Sequence, residues 1–215
     1  MASKTASSSR PSAPVEPKDA LSISREEQLL EELETIFLRD GFRDVTVDQL
    51  ARTLHCSKRS LYALAPSKEE LFLRVFDRYL SRLREDCNRG AAGVSPEQAF
   101  VPYLMPAIDA ARKLSATLIR DMTAYAPANE MWERHQRDRM AGLRTLVQRC
   151  VDDGIFRNAN ANLVAEVVAA SLRRIREPRF LAASKLSYRE AVAELYGLLL
   201  HGLLHPEAAD RVNEG

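Results

Sequence analysis

Residues 46–71, TVDQLARTLHCSKRSLYALAPSKEEL, decide how the chain is read. Thr46 and Gln49 have the spacing in which an N-cap hydroxyl and a side chain three residues later satisfy free helix amides, and Val45 and Leu50 flank that cap as a hydrophobic staple. A helix from Val47 to about Leu54 follows. Ser57 is the next good N-cap, so His55 and Cys56 fall in a tight turn and a second helix runs from Lys58 to about Leu64. Ala51 is small enough for two helices to cross closely. With Leu50, Leu54, Leu61 and Leu64 as the apolar faces, the pair packs as a helix-turn-helix whose second helix is the reader. From Gln49 to Lys68 there is no Asp or Glu, while Arg52, Lys58, Arg59 and Lys68 are basic and Ser57, Ser60 and Tyr62 can hydrogen-bond. A phosphate backbone favours such a surface. The bland alternative is an amphipathic helix pair with a solvated basic face.

The run ARTLHCSKRSLYALAPSKEEL resembles the DNA-binding signature of the TetR family of transcriptional regulators. The features that carry the resemblance are Ala51, the Ser57-Lys58 start of the reading helix, the Leu61-Tyr62 pair, and Pro66-Ser67-Lys68 leading into Leu71. His55 stands where the family commonly has a turn glycine, although histidine tolerates left-handed backbone. Arg59 replaces another frequent glycine and adds a potential base contact. Ala63, Leu64 and Ala65 depart from the family's more polar and aromatic residues there. The resemblance implies a DNA-binding repressor released by a ligand, with Thr46, Arg52, Ser57, Lys58, Arg59, Ser60, Tyr62 and Lys68 facing DNA. Because one reading helix covers only a few base pairs, specific binding calls for a homodimer on a pseudo-palindromic operator.

Outward from this stretch, residues 1–22, rich in Ser, Ala, Pro and Lys, read as a disordered tail whose Lys4, Arg10 and Lys18 could brush DNA. Ser24 and Glu27 open a helix with Leu29, Leu33, Ile36 and Phe37 on one face and Gly41 as its stop. Its acidic run, Glu26, Glu27, Glu31, Glu32 and Glu34, reads as a solvated face turned away from phosphate. Ser67 and Glu70 cap a helix running to about Asn88, long enough to join two domains. A linker from Arg89 to Val94 follows, then a helix capped by Ser95, and further helices at about 115–125, 129–153, 161–176 and 188–204. No run has a strand's period of two, so the class is all-α. The divisions are a DNA-binding domain over 23–70, an effector-binding and dimerisation domain over 71–207, and a tail over 208–215.

A formal charge of +1 and 46% apolar residues describe a chain with a sizeable core whose basic residues must be concentrated locally to meet nucleic acid. Cys56, Cys87 and Cys150 are widely spaced, and no charged start precedes an apolar signal core, so the expectation is a cytoplasmic protein with reduced thiols. No phosphate-cradling glycine loop, GxSxG elbow or HExxH motif is present, which gives catalysis no seat and calls for no cofactor. His201 and His205 are one turn apart but lack an adjacent acidic or cysteine partner, and are read as helix-end histidines rather than metal ligands.

Between 95 and 151 the aromatic and Met residues suit an apolar cavity, with His135 and Arg139, one helical turn apart, able to receive a carboxylate or carbonyl. Candidate effector contacts are Leu83, Cys87, Tyr103, Met122, Tyr125, Trp132, His135 and Arg139, against a background in which most such residues are plain core. From Ala191 to Leu204 every position but Glu194 and His201 is apolar or glycine, too many for a helix that buries one face. With Leu163, Val164, Val167, Val168 and Leu172 it suggests a four-helix dimer interface that includes Leu195, Leu199 and Leu203. The alternatives are a DNA-binding regulator governed by a protein partner or by thiol oxidation and, from another class, a helical carrier or enzyme with an incidental basic pair.

Overall fold

The computed structural model describes residues 24–203. Among them are ten helices: α1 (Arg25–Asp40), α2 (Val47–Thr53), α3 (Lys58–Leu64), α4 (Lys68–Ala91), α5 (Pro96–Lys113), α6 (Ala116–Ala124), α7 (Ala126–Asp152), α8 (Ala161–Ile175), α9 (Pro178–Ser184) and α10 (Tyr188–Leu203). The all-α class therefore stands. The two tails, together with His205, lie outside the described residues, as does the side chain of Leu203. No described helix is long and apolar enough to cross a membrane.

The local chemistry of the caps sets the helix starts. The side chains of Ser24, Thr46, Ser57, Ser67 and Ser95 each accept the backbone N–H three residues later, and Thr46 with Gln49 forms a full capping box. His55 takes φ 48° in the turn between α2 and α3, the left-handed conformation that the turn requires.

One boundary and one added helix differ from the sequence reading. The helix expected to stop near Asn88 continues through Gly90 to Ala91. A Cβ at Gly90 would stand 2.6 Å from the Pro102 carbonyl oxygen, so this glycine permits close approach of α4 and α5 rather than ending a helix. The short helix α9 is an addition.

Helix α4 is the spine of the fold, packing on α1, α5 and α7. Its first half joins the DNA-binding unit and its second half the larger unit, through one continuous core from Leu29 to Tyr196. An aromatic series runs along it. Phe42 stacks on Phe72 at 4.0 Å, Phe72 on Phe76 at 5.3 Å, Phe76 on Trp132 at 6.3 Å, and Trp132 meets His135 at 5.7 Å.

The acidic face of α1 is not simply solvated, because it opposes a row of arginines four residues apart on α4. Arg74 pairs with Glu26, Arg78 with Glu27 and Glu31, and Arg82 with Glu34. Most of these groups remain half exposed, so each pair contributes about 0–1 kcal/mol, and their main effect is to fix the orientation of α1 on α4.

A second tie is buried. Asp121 on α6 is fully enclosed, and its Oδ2 accepts the backbone N–H groups of Phe42 and Arg43, both at 3.0 Å. Gly41, at φ 74°, makes the turn that aims those amides, and a Cβ there would come within 2.5 Å of the same carboxylate oxygen. Ser115 N–H donates to the Leu38 carbonyl alongside (3.1 Å). The loop before the helix-turn-helix is thus held by α6.

Candidate functional site

The acid-free window folds into a surface formed by α2, its left-handed turn and α3. Ser57 Oγ holds the Ser60 amide and hydroxyl, which fixes the first turn of α3. Arg59 projects into solvent with no ion pair among the described residues, Arg52 is exposed, and Tyr62 is 50% exposed despite its ring. Leu61, on the opposite side of α3, is buried. The helix therefore presents basic and hydroxyl groups outward and is anchored by one leucine.

Both lysines among the eight candidate DNA contacts are otherwise engaged. Lys68 Nζ donates to the Arg43 and Val45 carbonyls (2.8 and 2.9 Å), so this lysine mainly clips the loop to the start of α4. Lys58 pairs with Asp48 at 2.5 Å, and that hydrogen bond raises its pKa. Asp48 lies one residue outside the acid-free window and was overlooked for that reason. It competes with phosphate for Lys58. Asp48→Asn should accordingly tighten binding to any DNA by a few-fold and steepen the salt dependence by about one unit of slope. Anisotropy titrations between low and moderate salt check this, and an unchanged slope would rule out competition.

The profile of bacterial regulatory proteins, tetR family, matches residues 29–75, which span α1 to the first turns of α4. The whole fold agrees. A transcriptional regulator from Marinobacter aquaeolei VT8, named as of the TetR family, superposes with TM-score 0.67 at 16% identity, over 89% of this chain and 97% of its own.

Residues 29–75 thus match the tetR family of bacterial regulatory proteins, and the chain as a whole has the fold of TetR-family regulators. The HTH-type transcriptional regulator YvaF of Bacillus subtilis strain 168 is 20% identical over 86% of this chain and 98% of its own length. A regulator from Saccharomonospora viridis, in complex with choline, superposes with TM-score 0.67 at 13% identity over 84% and 97% of the two chains.

In the regulator's larger unit the structure gathers only part of the expected effector set. Leu83, Trp132, His135 and Arg139 line a small void of about 20 Å³ between α4, α5, α7 and α10. Cys87 is buried beside Arg139, and Tyr103 Oη donates to the Arg139 carbonyl at 2.7 Å. Met122 and Tyr125 do not belong to this group. Met122 is packed in the core on α6, and Tyr125, at the start of α7, lies 5.4 Å from Phe42, where α6 meets the DNA-binding unit. The sequence reading missed Tyr188 and Tyr196, which α10 brings to the same void, and Arg84, whose guanidinium reaches His135. Outside the void, an open cleft of about 450 Å³ between α7 and α8 shares Trp132, Gln136 and Leu172 with it.

The expected interface set also needs correction. Val168 and Leu172 are buried in the chain's own core, whereas Leu163 and Val167, on the next stripe of α8, are left in water at 63% and 52% exposure. On α10 Leu198 is 75% exposed, with Val164, Leu195 and Leu199 half-buried. A mainly apolar groove between α8 and α10, of about 410 Å³, is lined by Ala170, Ile175, Phe180, Leu195 and Leu198 among others.

Burial raises the pKa of all three thiols, most clearly that of Cys150, pushed up to about 11. None of them has the lowered pKa that activates a thiol towards oxidation.

Proposed function

We propose that the regulator is a repressor that binds a pseudo-palindromic operator as a homodimer and is released by a small, largely apolar effector held in the unit after residue 70. The observation that carries this reading is that one chain exposes both an acid-free α3 and an unpartnered apolar face on α8 and α10. A single α3 meets too few base pairs for specific binding, and the apolar face supplies the means of pairing two. Exposed apolar surface of that kind is normally covered by a partner.

Arg59 is the leading base reader, with Lys58, Ser60 and Tyr62 at the groove and its rim and Arg52, Thr46 and Ser57 toward phosphate. The α7–α8 cleft of about 450 Å³ beside the small void supports a ligand-sized guest, and the choline held by a relative of the same fold supports regulation by a small molecule. Raised thiol pKa values weigh against the oxidation-controlled alternative.

Titrating the full chain onto fluorescent DNA flanking its own gene tests the reading. Two subunits per site are expected, and Arg59→Ala should cost about 1–3 kcal/mol on the preferred site with little change on random DNA. Equal losses on both would remove Arg59 from base reading. A thermal-shift screen of small apolar compounds, followed by operator release, tests the effector.

A further inference from the structure

Four polar or charged residues of the described chain are buried: Asp121, His135, Arg139 and Arg176. Two of them have an answering charge: Asp121 accepts two backbone amides and pairs with Arg120, and Arg176 pairs with Glu133 at 2.6 Å, its Nη1 alone lacking a partner. The other two have no carboxylate beside them among the described residues.

The Arg139 guanidinium donates to Tyr196 Oη (3.1 Å), its Nε has no partner, and among the described residues no carboxylate lies within ion-pair distance of it. Arginine keeps its proton at any physiological pH, so this is a buried cation whose nearest companions are phenols and a thiol. Burial pushes Tyr103 up to about 12 and also raises Cys87, so neither supplies a negative charge near neutrality.

His135, one helical turn earlier, completes the imbalance. Its Nδ1 lies 3.4 Å from Arg84 Nη1, and a guanidinium can only donate, so Nδ1 accepts. Burial, reinforced by Arg139 and Arg84, lowers the His135 pKa to about 3 and keeps the ring neutral. The single ring proton therefore sits on Nε2, a buried donor with no acceptor. Two unanswered N–H groups, one uncompensated positive charge and the unpartnered Gln136 amide, which can turn its NH2 inward, line a void that holds about one water. The void shares the Trp132, Gln136 and Leu172 walls with the α7–α8 cleft.

We propose that Arg139 and His135 form an anion anchor, and that the effector is a small apolar monocarboxylic acid whose carboxylate meets these two residues while its apolar body lies against Trp132 toward the α7–α8 cleft. The proposal rests on the effector reading above and adds the ligand's charge and polarity. One carboxylate supplies the missing counter-charge and accepts both free protons. A neutral guest of the same shape leaves the cation uncompensated, and an amine adds a second positive charge.

Trp132 is the only tryptophan in the chain and therefore reports binding by itself. The full-length protein is titrated with straight-chain acids from hexanoate to dodecanoate and with aryl acetates, each paired with its methyl ester, following Trp132 emission and operator affinity. At least one acid should bind ten-fold or more tightly than its ester and weaken operator binding. Arg139→Met should bring acid and ester to parity and, without ligand, keep or raise the melting temperature, since it removes an unpaired buried charge. His135→Phe should lose affinity for the acid and not for the ester.

Esters that bind the native protein as tightly as their acids overturn the anion anchor while leaving an apolar effector in place. If neither series changes emission or operator affinity, both readings fail. A large fall in melting temperature for Arg139→Met without ligand would make Arg139 a structural residue and also overturn the anchor.

Discussion

Asp121→Ala is expected to lower the stability of the regulator by about 2–4 kcal/mol, since it leaves the buried Phe42 N–H without an acceptor, at about 1–3 kcal/mol, and the part-buried Arg43 N–H at the lower end of that range. For a chain of this size that is a fall of roughly 10 °C in melting temperature. Asp121→Asn separates the causes. An amide oxygen still accepts both amides, and what it gives up is the ion pair with Arg120, a group 59% exposed and so worth little. Asparagine should therefore recover most of the loss. If both variants fall equally, the charge and not the acceptor geometry holds the loop. Because this carboxylate is the buried polar link between α6 and the segment leading into α2, Asp121→Ala should also blunt the response of operator affinity to effector.

Leu198→Arg is expected to convert the regulator to a monomer and to weaken operator binding by 100-fold or more. In the isolated chain this side chain is 75% exposed, so an arginine there is solvated and the fold should persist with unchanged helical circular dichroism. At a two-fold interface the substitution occurs twice, and each buried unpaired charge costs about 3 kcal/mol or more. Sedimentation equilibrium at micromolar concentration reads the outcome directly. A variant that remains dimeric would move the interface away from α8 and α10, and an unsubstituted protein that is monomeric would remove the homodimer altogether.

Much of the fold was legible because helix starts are local. The serine and threonine caps and the left-handed His55 depend on residues within a turn of each other, so their spacing is enough. Features that depend on distant neighbours were not legible. Asp121, a lone acid on an apolar helix, looks like a surface residue until the Gly41 turn is placed against it. Helix α8 carries apolar residues on more than one face. Nothing in the sequence says that Val168 and Leu172 turn inward while Leu163 and Val167 stay outside. The seven-residue α9 buries no side chain and so has no apolar stripe to find. Of the effector set, His135 and Arg139 were found because they are four apart on one helix. Tyr188 and Tyr196 come from α10, far along the chain, and Met122 and Tyr125 were grouped with them by composition alone.

The length of α4 gives the molecule a mechanical advantage. Its 24 residues make a rod of about 36 Å, with Leu83 about two-thirds of the way along it against the void and α3 carried at its start. A rotation of about 5° about Leu83 sweeps the start of the helix, about 22 Å away, through about 2 Å, more than half the rise of one base pair. In a two-fold pair the two arms swing in opposite senses, so the separation of the reading helices changes by up to twice that amount. A displacement no larger than a side chain's change of rotamer beside Leu83 is thereby scaled up to the spacing that DNA itself sets.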